Sequence, residues 1–473
     1  MEGKYLYRNV CSILITFLCT FSFYVVWYDF VEDNNQTGHL LGRGNLIMAF
    51  AIYMGLLIFL FHNLGGFAIG VDRISKIMAS QVISLFLLDL LETFISCAIT
   101  GNFRFWHLFA IRYLLLFLGQ SFVICFLTYF LVAIYRRKFP PLQVLEIYGE
   151  HKKHSYCKMD DRPDKYHVSG HVSYLEGNEK IIQRMQNYDA VLINDVPDEI
   201  QGSILKICFD LNKRVYFTPR ISDIMIKSSD NLNLFDTPLY LLRNKGMSFG
   251  QRFFKRLLDL VLSAIALVIL SPLFLVVAIC IKVEDGGPVF YKQERCTIGM
   301  KKFWIYKFRS MIVDAEKDGK SHPAGEKDDR ITKVGRVIRA TRIDELPQLI
   351  NIIKGDMSII GPRPERVEHV QKYIDEIPEF KYRYKVKGGL SGYAQVYGKY
   401  NTSALDKLKL DLIYITNYSL VLDVQIVFET FKIIFQKEST EGFSEEQQEA
   451  IMDDDPDDEK VPGFSDHDLS RKD

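Results

Sequence analysis

Four long apolar stretches, roughly 9–28, 45–69, 77–99 and 106–134, fill the first third of the chain. At 1.5 Å per residue each can cover the ~30 Å hydrocarbon core of a bilayer. The first has no small-residue cleavage site and further spans follow it, so a cleaved leader is not expected. Lys4 and Arg8 precede the first span, Arg73 and Lys76 lie in the second loop, and "YRRK" at 135–138 follows the fourth. The loops around "DFVEDNNQTG" and "TGNFRFW" carry fewer bases. This asymmetry predicts four membrane helices over residues 1–140 with both ends in the cytoplasm. Asp89 and Glu92 in the third span and Arg112 in the fourth are intramembrane charges, read here as a pair holding two helices together.

A fifth apolar stretch has a different character. Its 22-residue core, Leu260 to Ile281, is long enough to cross, yet Lys255 and Arg256 flank one end and Lys282, Lys292 and Arg295 follow the other. Ser271-Pro272 sits at its midpoint. Proline removes a ladder hydrogen bond, and the serine hydroxyl can satisfy the freed carbonyl, so a bend costs little there. The pattern predicts a re-entrant helix at about 254–283 that returns to the cytoplasmic face. The alternative is a kinked spanning helix, which would export a basic domain.

Between these membrane segments, 141–248 alternates short β-rich runs ("LQVLEIYG", "DAVLIND", "RVYFTP") with helical ones ("NEKIIQRMQ", "IQGSILKICFDL"). Such alternation predicts a small parallel α/β domain. "YGEHKKHS" follows the first strand where a dinucleotide binder carries G-x-G-x-x-G. The glycines are missing, so structural or regulatory packing is expected of this domain rather than a nucleotide site.

Composition changes the picture at the C-terminus. Lysine plus arginine equals aspartate plus glutamate at 58 each, but from Glu438 onward there are 14 acids against 3 bases. The body is therefore basic, and 438–473 reads as an acidic disordered tail. Its "DDDPDD" lacks the glycine and ligand spacing of a calcium loop. The sequon "NQT" at 35–37 carries little weight. The eight cysteines are scattered without a C-x-x-C pair, which points to reduced thiols and no structural zinc.

The chemistry is concentrated after the fifth apolar stretch. In "ATRIDELPQLI", residues 340–350, the adjacent acids Asp344 and Glu345 precede Pro347, an apolar run and Gly355. Proline in a first turn and glycine after a last turn predict a short helix with both acids at its positive end. An N-capping pair on a surface helix would explain the acids equally well. "FWIYKFRSM" places Lys307 and Arg309 on one side of an alternating strand, as a surface strand or a phosphate clamp would. Arg363 lies between Pro362 and Pro364, so its guanidinium is offered from a stiffened backbone. "KVKGGLSGYAQVYGKYN" is a glycine-rich basic loop, and Asp411 and Asp423 follow on amphipathic helix. Cations, fixed glycines and an acid pair beside a membrane helix together point to phosphoryl transfer at a bilayer surface.

The motifs "KRLLD", "SP", "YKFRSM", "RIDELPQL", "KGDMSIIGPRP", "GLSGYAQV" and "LDLIYITNYSLVLD" resemble, in order and spacing, those of the bacterial sugar transferase family over about 250–437. The resemblance implies a large monotopic polyprenyl-phosphate sugar-1-phosphate transferase of the kind that initiates capsule, O-antigen or exopolysaccharide synthesis. Its fold would be a four-helix transmembrane bundle, a degenerate Rossmann-like α/β domain, and a mainly helical catalytic domain, 249–437, with a re-entrant hairpin. The departures are Gly388, where the family usually has proline, and Tyr393, where it often has tryptophan.

The family chemistry implies that Asp344 attacks the sugar-bearing phosphate of a UDP-sugar, releasing UMP, and that polyprenyl (undecaprenyl) phosphate then takes the sugar phosphate. Mg²⁺ held by Glu345 and Asp344 would assist, with Lys307, Arg309, Arg339 and Arg363 on the substrate phosphates, and Asp411 and Asp423 in support. The expected location is the bacterial cytoplasmic membrane, with the catalytic domain on its cytoplasmic face. A homodimer is compatible with this layout, and no nucleic-acid partner is expected. Two other readings stay open: a Leloir-type glycosyltransferase releasing UDP, which lacks support from any D-x-D motif, and a non-catalytic membrane scaffold.

Overall fold

The computed structural model of the chain describes residues 2–34, 43–100, 103–149, 159, 162–234, 236–242, 246–313, 328–398 and 402–434. The acidic tail at 438–473, the sequon at 35–37 and residues 150–155 of "YGEHKKHS" lie outside the described residues. The chain divides into two units, 1–220 and 221–473.

The first unit opens with helices α1 (Glu2–Asn34), α2 (Arg43–Leu64), α3 (Ile74–Thr100) and α4 (Trp106–Lys138). Each is long and apolar enough to cross a membrane. All four contribute to one core that includes Phe23, Tyr53, Leu85 and Tyr113, with Phe23 stacked on Tyr53 at 3.9 Å between ring centres. Large apolar side chains such as Phe17, Phe122 and Phe126 stay exposed on the outside, the distribution of helices that face lipid.

The intramembrane charges do not pair as the sequence suggests. Asp89 accepts a hydrogen bond from the Tyr53 hydroxyl at 3.3 Å, and Glu92 is wholly buried with neither oxygen hydrogen-bonded among the described residues. Arg112 instead lines a cleft with Leu18, Cys19 and Ser22 of α1. Tyr53 and Gln120 tie the helices together here: Tyr53 donates to Gln120 at 3.1 Å, and Gln120 donates to the Cys19 carbonyl at 3.0 Å.

After α4 come β1 (Leu142–Tyr148), β2 (Tyr166–Ser173), α5 (Asn178–Met185), β3 (Ala190–Asn194), α6 (Asp198–Asp210) and β4 (Arg214–Phe217). The strands form one parallel sheet in the order β2-β1-β3-β4. Ile181, Met185, Ile204 and Cys208 of the helices cover Leu145, Ile147, Val191 and Ile193 of the sheet. Strand order reverses between β1 and β3, the crevice where open α/β sheets take ligands. Backbone approaches backbone closely at these strand ends. Gly149 donates to the Asn194 carbonyl at 2.9 Å, and a Cβ at Gly149 would lie 1.7 Å from the Asp195 carbonyl oxygen.

The second unit begins with α7 (Ile221–Lys227), whose Ile224 packs with Leu408 and Leu412. That helix lies in sequence within the 141–248 block but packs in space with the C-terminal unit. A hairpin of β5 (Asp230–Leu234) and β6 (Thr237–Leu241) leads to the long helix α8 (Phe249–Asp285), then an antiparallel pair, β7 (Phe290–Cys296) and β8 (Lys302–Phe308). The remainder is α9 (Lys333–Ala340), α10 (Gln348–Lys354), β9 (Met357–Ile360), α11 (Val367–Glu376), β10 (Gly388–Ser391), α12 (Tyr393–Tyr397), α13 (Ala404–Thr416) and α14 (Leu420–Ile434).

Helix α8 organises this unit. Ser248 and Gln251 form a reciprocal capping box at its start, and Gly286 in the left-handed region (φ 71°) ends it. Pro272 lies within one continuous helical element. The Val268 carbonyl, which the proline cannot bond, accepts from the Ser271 hydroxyl at 2.8 Å. Both arms pack on the same domain. Ala266, Leu267 and Leu270 meet Phe303, Ile305 and Leu349, while Leu273, Phe274, Val277 and Ile281 meet Phe308, Ile338 and Ile343. At the N-terminal arm Lys255 donates to Asp423 at 2.7 Å, and Asp259 accepts from the Ile359 amide at 2.9 Å and the Ser358 hydroxyl at 3.1 Å. Large apolar side chains on the opposite side, including Val268, Ile269, Leu275 and Val283, remain exposed.

Candidate active site

The acid pair is set by two helix ends. Helix α9 starts with the Thr332 hydroxyl accepting from the Gly335 amide at 2.9 Å, and the Glu284 carboxylate, from the end of α8, accepts from the Lys333 and Val334 amides at 2.7 and 3.1 Å. After α9 the chain reverses through Arg342, a non-glycine residue at φ 57°. Backbone held in that region costs on the order of 1–3 kcal/mol and marks sites where geometry is over-determined. A short 3-10 turn, Ile343–Glu345, follows, then Pro347 and α10, which closes at Gly355 (φ 97°). The helix expected from proline and glycine is present, with both acids in the turn that enters it.

The two acids have different surroundings. Glu345 is buried and accepts from Lys307 at 2.8 Å; Arg363 also donates to both its oxygens, and Arg342 stands 4.0 Å away. Burial alone would raise its pKa, but Arg363 and Lys307 reverse that and hold the carboxyl well below the usual range. Burial also lowers the Lys307 ammonium, with Glu345 opposing. Asp344 is partly exposed and makes no hydrogen bond or ion pair among the described residues. Burial, then the Glu345 charge, raise its pKa, against the pull of Lys307, Arg339 and Arg363. One carboxylate is committed to holding cations. The other has no such partner among the described residues.

Lys307 reaches the pair because β8 alternates: Phe303 and Ile305 fill the core below it on the same side. Arg309 lies just past the strand end and is not brought to the acids. It pairs with Asp285 at the end of α8, in space left by Gly287. Arg339, in the last turn of α9, makes no ion pair among the described residues but lies within electrostatic reach of Asp344.

Arg363 is positioned by the loop after β9. This loop lies against β10, which pairs parallel to β9, and the Gly361 amide donates to the Ser391 carbonyl at 2.9 Å. A Cβ at Gly389 would lie 2.1 Å from the Gly361 nitrogen, so the glycine-rich run forms the close-packed floor of the arginine loop. Asp411 and Asp423 stand outside the acid pair. Asp411 is paired with Arg383 at 2.7 Å, and Asp423 with Lys255, both buried. The sequence shows Arg342 as a cation before the acid pair without assigning it to the site, and sequence reasoning missed Glu284 and Arg383. Arg342 sits inside the quoted motif, whereas nothing in the local sequence distinguishes the other two.

Among the described residues no group of three His, Cys, Asp or Glu side chains could hold a metal. Glu345 already faces two cations, leaving Asp344 as the open oxygen donor. One or two carboxylates are nevertheless the protein share in a Mg²⁺ shell otherwise completed by substrate phosphates and water. The donor set fits a cation that arrives with a diphosphate.

The bacterial sugar transferase family model matches residues 250–437. The chain is 36% identical over 340 residues to the UDP-N-acetylgalactosamine-undecaprenyl-phosphate N-acetylgalactosaminephosphotransferase of Aeromonas hydrophila, covering 67% of this chain and 73% of that protein. It is 37% identical over 226 residues to the UDP-glucose:undecaprenyl-phosphate glucose-1-phosphate transferase of Klebsiella pneumoniae, covering 47% and 48%. With the protein of the same description from Escherichia coli K12 it shares 40% identity over 202 residues, 42% of each chain. The latter two matches thus span less than half of those relatives' length.

Proposed function

The chain belongs to the bacterial sugar transferase family, and on that premise we propose that it transfers a sugar-1-phosphate from a UDP-sugar to undecaprenyl phosphate through a covalent aspartyl-phosphosugar. It is an undecaprenyl-phosphate sugar phosphotransferase. The observation that carries the two-step reading is the division of labour between neighbours, with Glu345 locked by Lys307 and Arg363 and Asp344 unpaired.

In the first step an Asp344 carboxylate oxygen bonds to the sugar-bearing phosphorus. The bond from that phosphorus to the bridging oxygen breaks, and UMP leaves with the oxygen. In the second step a phosphate oxygen of the lipid bonds to the same phosphorus, and the phosphorus–Asp344 bond breaks. One phosphoanhydride is lost and one formed, so no outside energy source is needed. Arg363 and Lys307, preorganised on Glu345, and Arg339 offset the charge that otherwise repels a carboxylate from a phosphate. Mg²⁺ bound by Asp344, the open oxygen donor, together with the diphosphate would add charge neutralisation.

The packing of both arms of α8 on one domain supports a re-entrant rather than a spanning helix. On this reading α8 dips into the cytoplasmic membrane and returns, keeping the site on the cytoplasmic face where a soluble nucleotide and a lipid phosphate meet. Mass analysis of the lipid product, with a panel of UDP-sugars and undecaprenyl phosphate, tests the function. A polyprenyl-diphosphate sugar is expected, and its absence with every donor would overturn the reading.

A further inference from the structure

The carbonyls of the arginine loop are held one after another. Pro362 accepts from the Gly389 amide at 2.9 Å, Pro364 from Arg295 at 3.2 Å, and Glu365 from the Cys296 amide at 3.2 Å. The carbonyl of Arg363 itself accepts from Arg383 at 3.0 Å. Arg383 is 2% exposed, with its guanidinium 4.8 Å above the Phe380 ring. The same guanidinium lies 2.7 Å from Asp411 on α13 and 3.5 Å from Glu365.

We propose that Arg383 is a positioning residue for the transfer reaction, fixing the Arg363 backbone so that the Arg363 guanidinium stays on Glu345. The proposal rests on the transferase reading given above. Its physical basis is a mismatch between cost and use. Burying an ion cluster is expensive, and an apolar side chain of similar volume commonly gives equal or better stability. Fold stability therefore does not account for a charge here. An arginine fork, with five donors in fixed geometry, can span two carboxylates and a backbone carbonyl at once; a lysine or an apolar residue cannot. Asp411 and Glu365 aim that fork, and the Nη2 that faces Asp411 also donates to the carbonyl of Arg363, the residue whose side chain enters the acid pair. Arg295 on β7 and Lys407 on α13 also face this cluster, and their charges favour the ionised form of its carboxylates.

The test is a cycle on the full-length protein, with R383Q, R363K and the double variant, reading kcat and KM for the UDP-sugar. R383Q is expected to lower kcat/KM by about 10²-fold, the size of effect that small misplacement of a catalytic group produces. In the R363K background the same change should cost no more than about twofold, within the error of additivity. A purely structural role would give losses that multiply, and that result, or wild-type kcat/KM in R383Q, overturns the proposal. Should R383Q not fold, D411N goes through the same cycle. Its loss must vanish in R363K, and a loss that multiplies sinks the idea. A wild-type protein inactive with every donor would count against the transferase reading rather than against this linkage.

Discussion

The Lys307 ammonium lies 2.8 Å from an oxygen of the buried Glu345, next to Asp344, which makes no ion pair among the described residues. A buried, hydrogen-bonded ion pair of this kind resists removal of either partner, because the survivor becomes an uncompensated charge. Here it also fixes where positive charge stands beside Asp344.

Glu345→Gln should therefore lower kcat by about 10²–10³-fold, as loss of preorganised electrostatic stabilisation does. The residual activity carries a second signature. The Glu345 charge helps to raise the Asp344 pKa, and Lys307 and Arg363 would then act on Asp344 alone. The ionised, reactive form of Asp344 would persist to lower pH, so the acid limb of nucleotide release should move downward in E345Q. A limb that stays in place or moves up would contradict this arrangement.

Lys255 in the second turn of α8 and Asp423 in the first turn of α14 join the two helices at 2.7 Å, with the Tyr414 hydroxyl donating to Asp423 at 2.8 Å. Lys255→Met or Asp423→Asn alone should destabilise the folded protein by roughly 3–5 kcal/mol, and the double variant by clearly less than the sum. Thermal unfolding in one detergent measures all four proteins. Additive losses would show that the pair is not coupled.

These relationships divide into those the sequence exposes and those it hides. The acid pair, Pro347, Gly355 and Arg363 were readable because each rests on short-range rules, namely caps, prolines and adjacent charge. The strands at 142–148, 190–194 and 214–217 were readable as apolar runs. Strand β2, "YHVSGHVS", was not, since its polar alternation differs little from a loop. Arg309 looked like a partner of Lys307 because both fit one alternation, but β8 ends at Phe308 and the next residue turns to α8. Arg383 and Asp411 are 28 positions apart in sequence, and only packing brings them together.

Asp411 supplies a pH signature. Burial raises its carboxyl to about 6 despite Arg383. A carboxyl with a raised native pKa binds its proton more tightly folded than unfolded, so its contribution to stability grows as pH falls from about 6 toward 3.8 and is level above that. The span is on the order of 3 kcal/mol. Chemical denaturation of wild type and D411N across this window should show the wild-type stability gaining on the variant as pH falls. A difference that is flat with pH would mean that Asp411 titrates normally.

The two flanks of α8 should share one side of the membrane. In a version with all native cysteines replaced, cysteines at Arg252 and Lys292 are expected to react with an impermeant reagent only when the cytoplasmic face is open. Reaction of one from each face would establish a spanning helix and remove the catalytic domain from cytoplasmic nucleotide sugars.

The most direct test concerns the bond to Asp344. Purified protein incubated with the correct UDP-sugar and Mg²⁺, without lipid acceptor, should release up to about one equivalent of UMP per site, since the nucleotide departs as the covalent adduct forms. The peptide containing Asp344 should gain the mass of a sugar phosphate, undecaprenyl phosphate should discharge it, and D344N should give neither. UDP as the sole nucleotide product, or an unmodified Asp344 peptide alongside full turnover, would contradict the covalent mechanism.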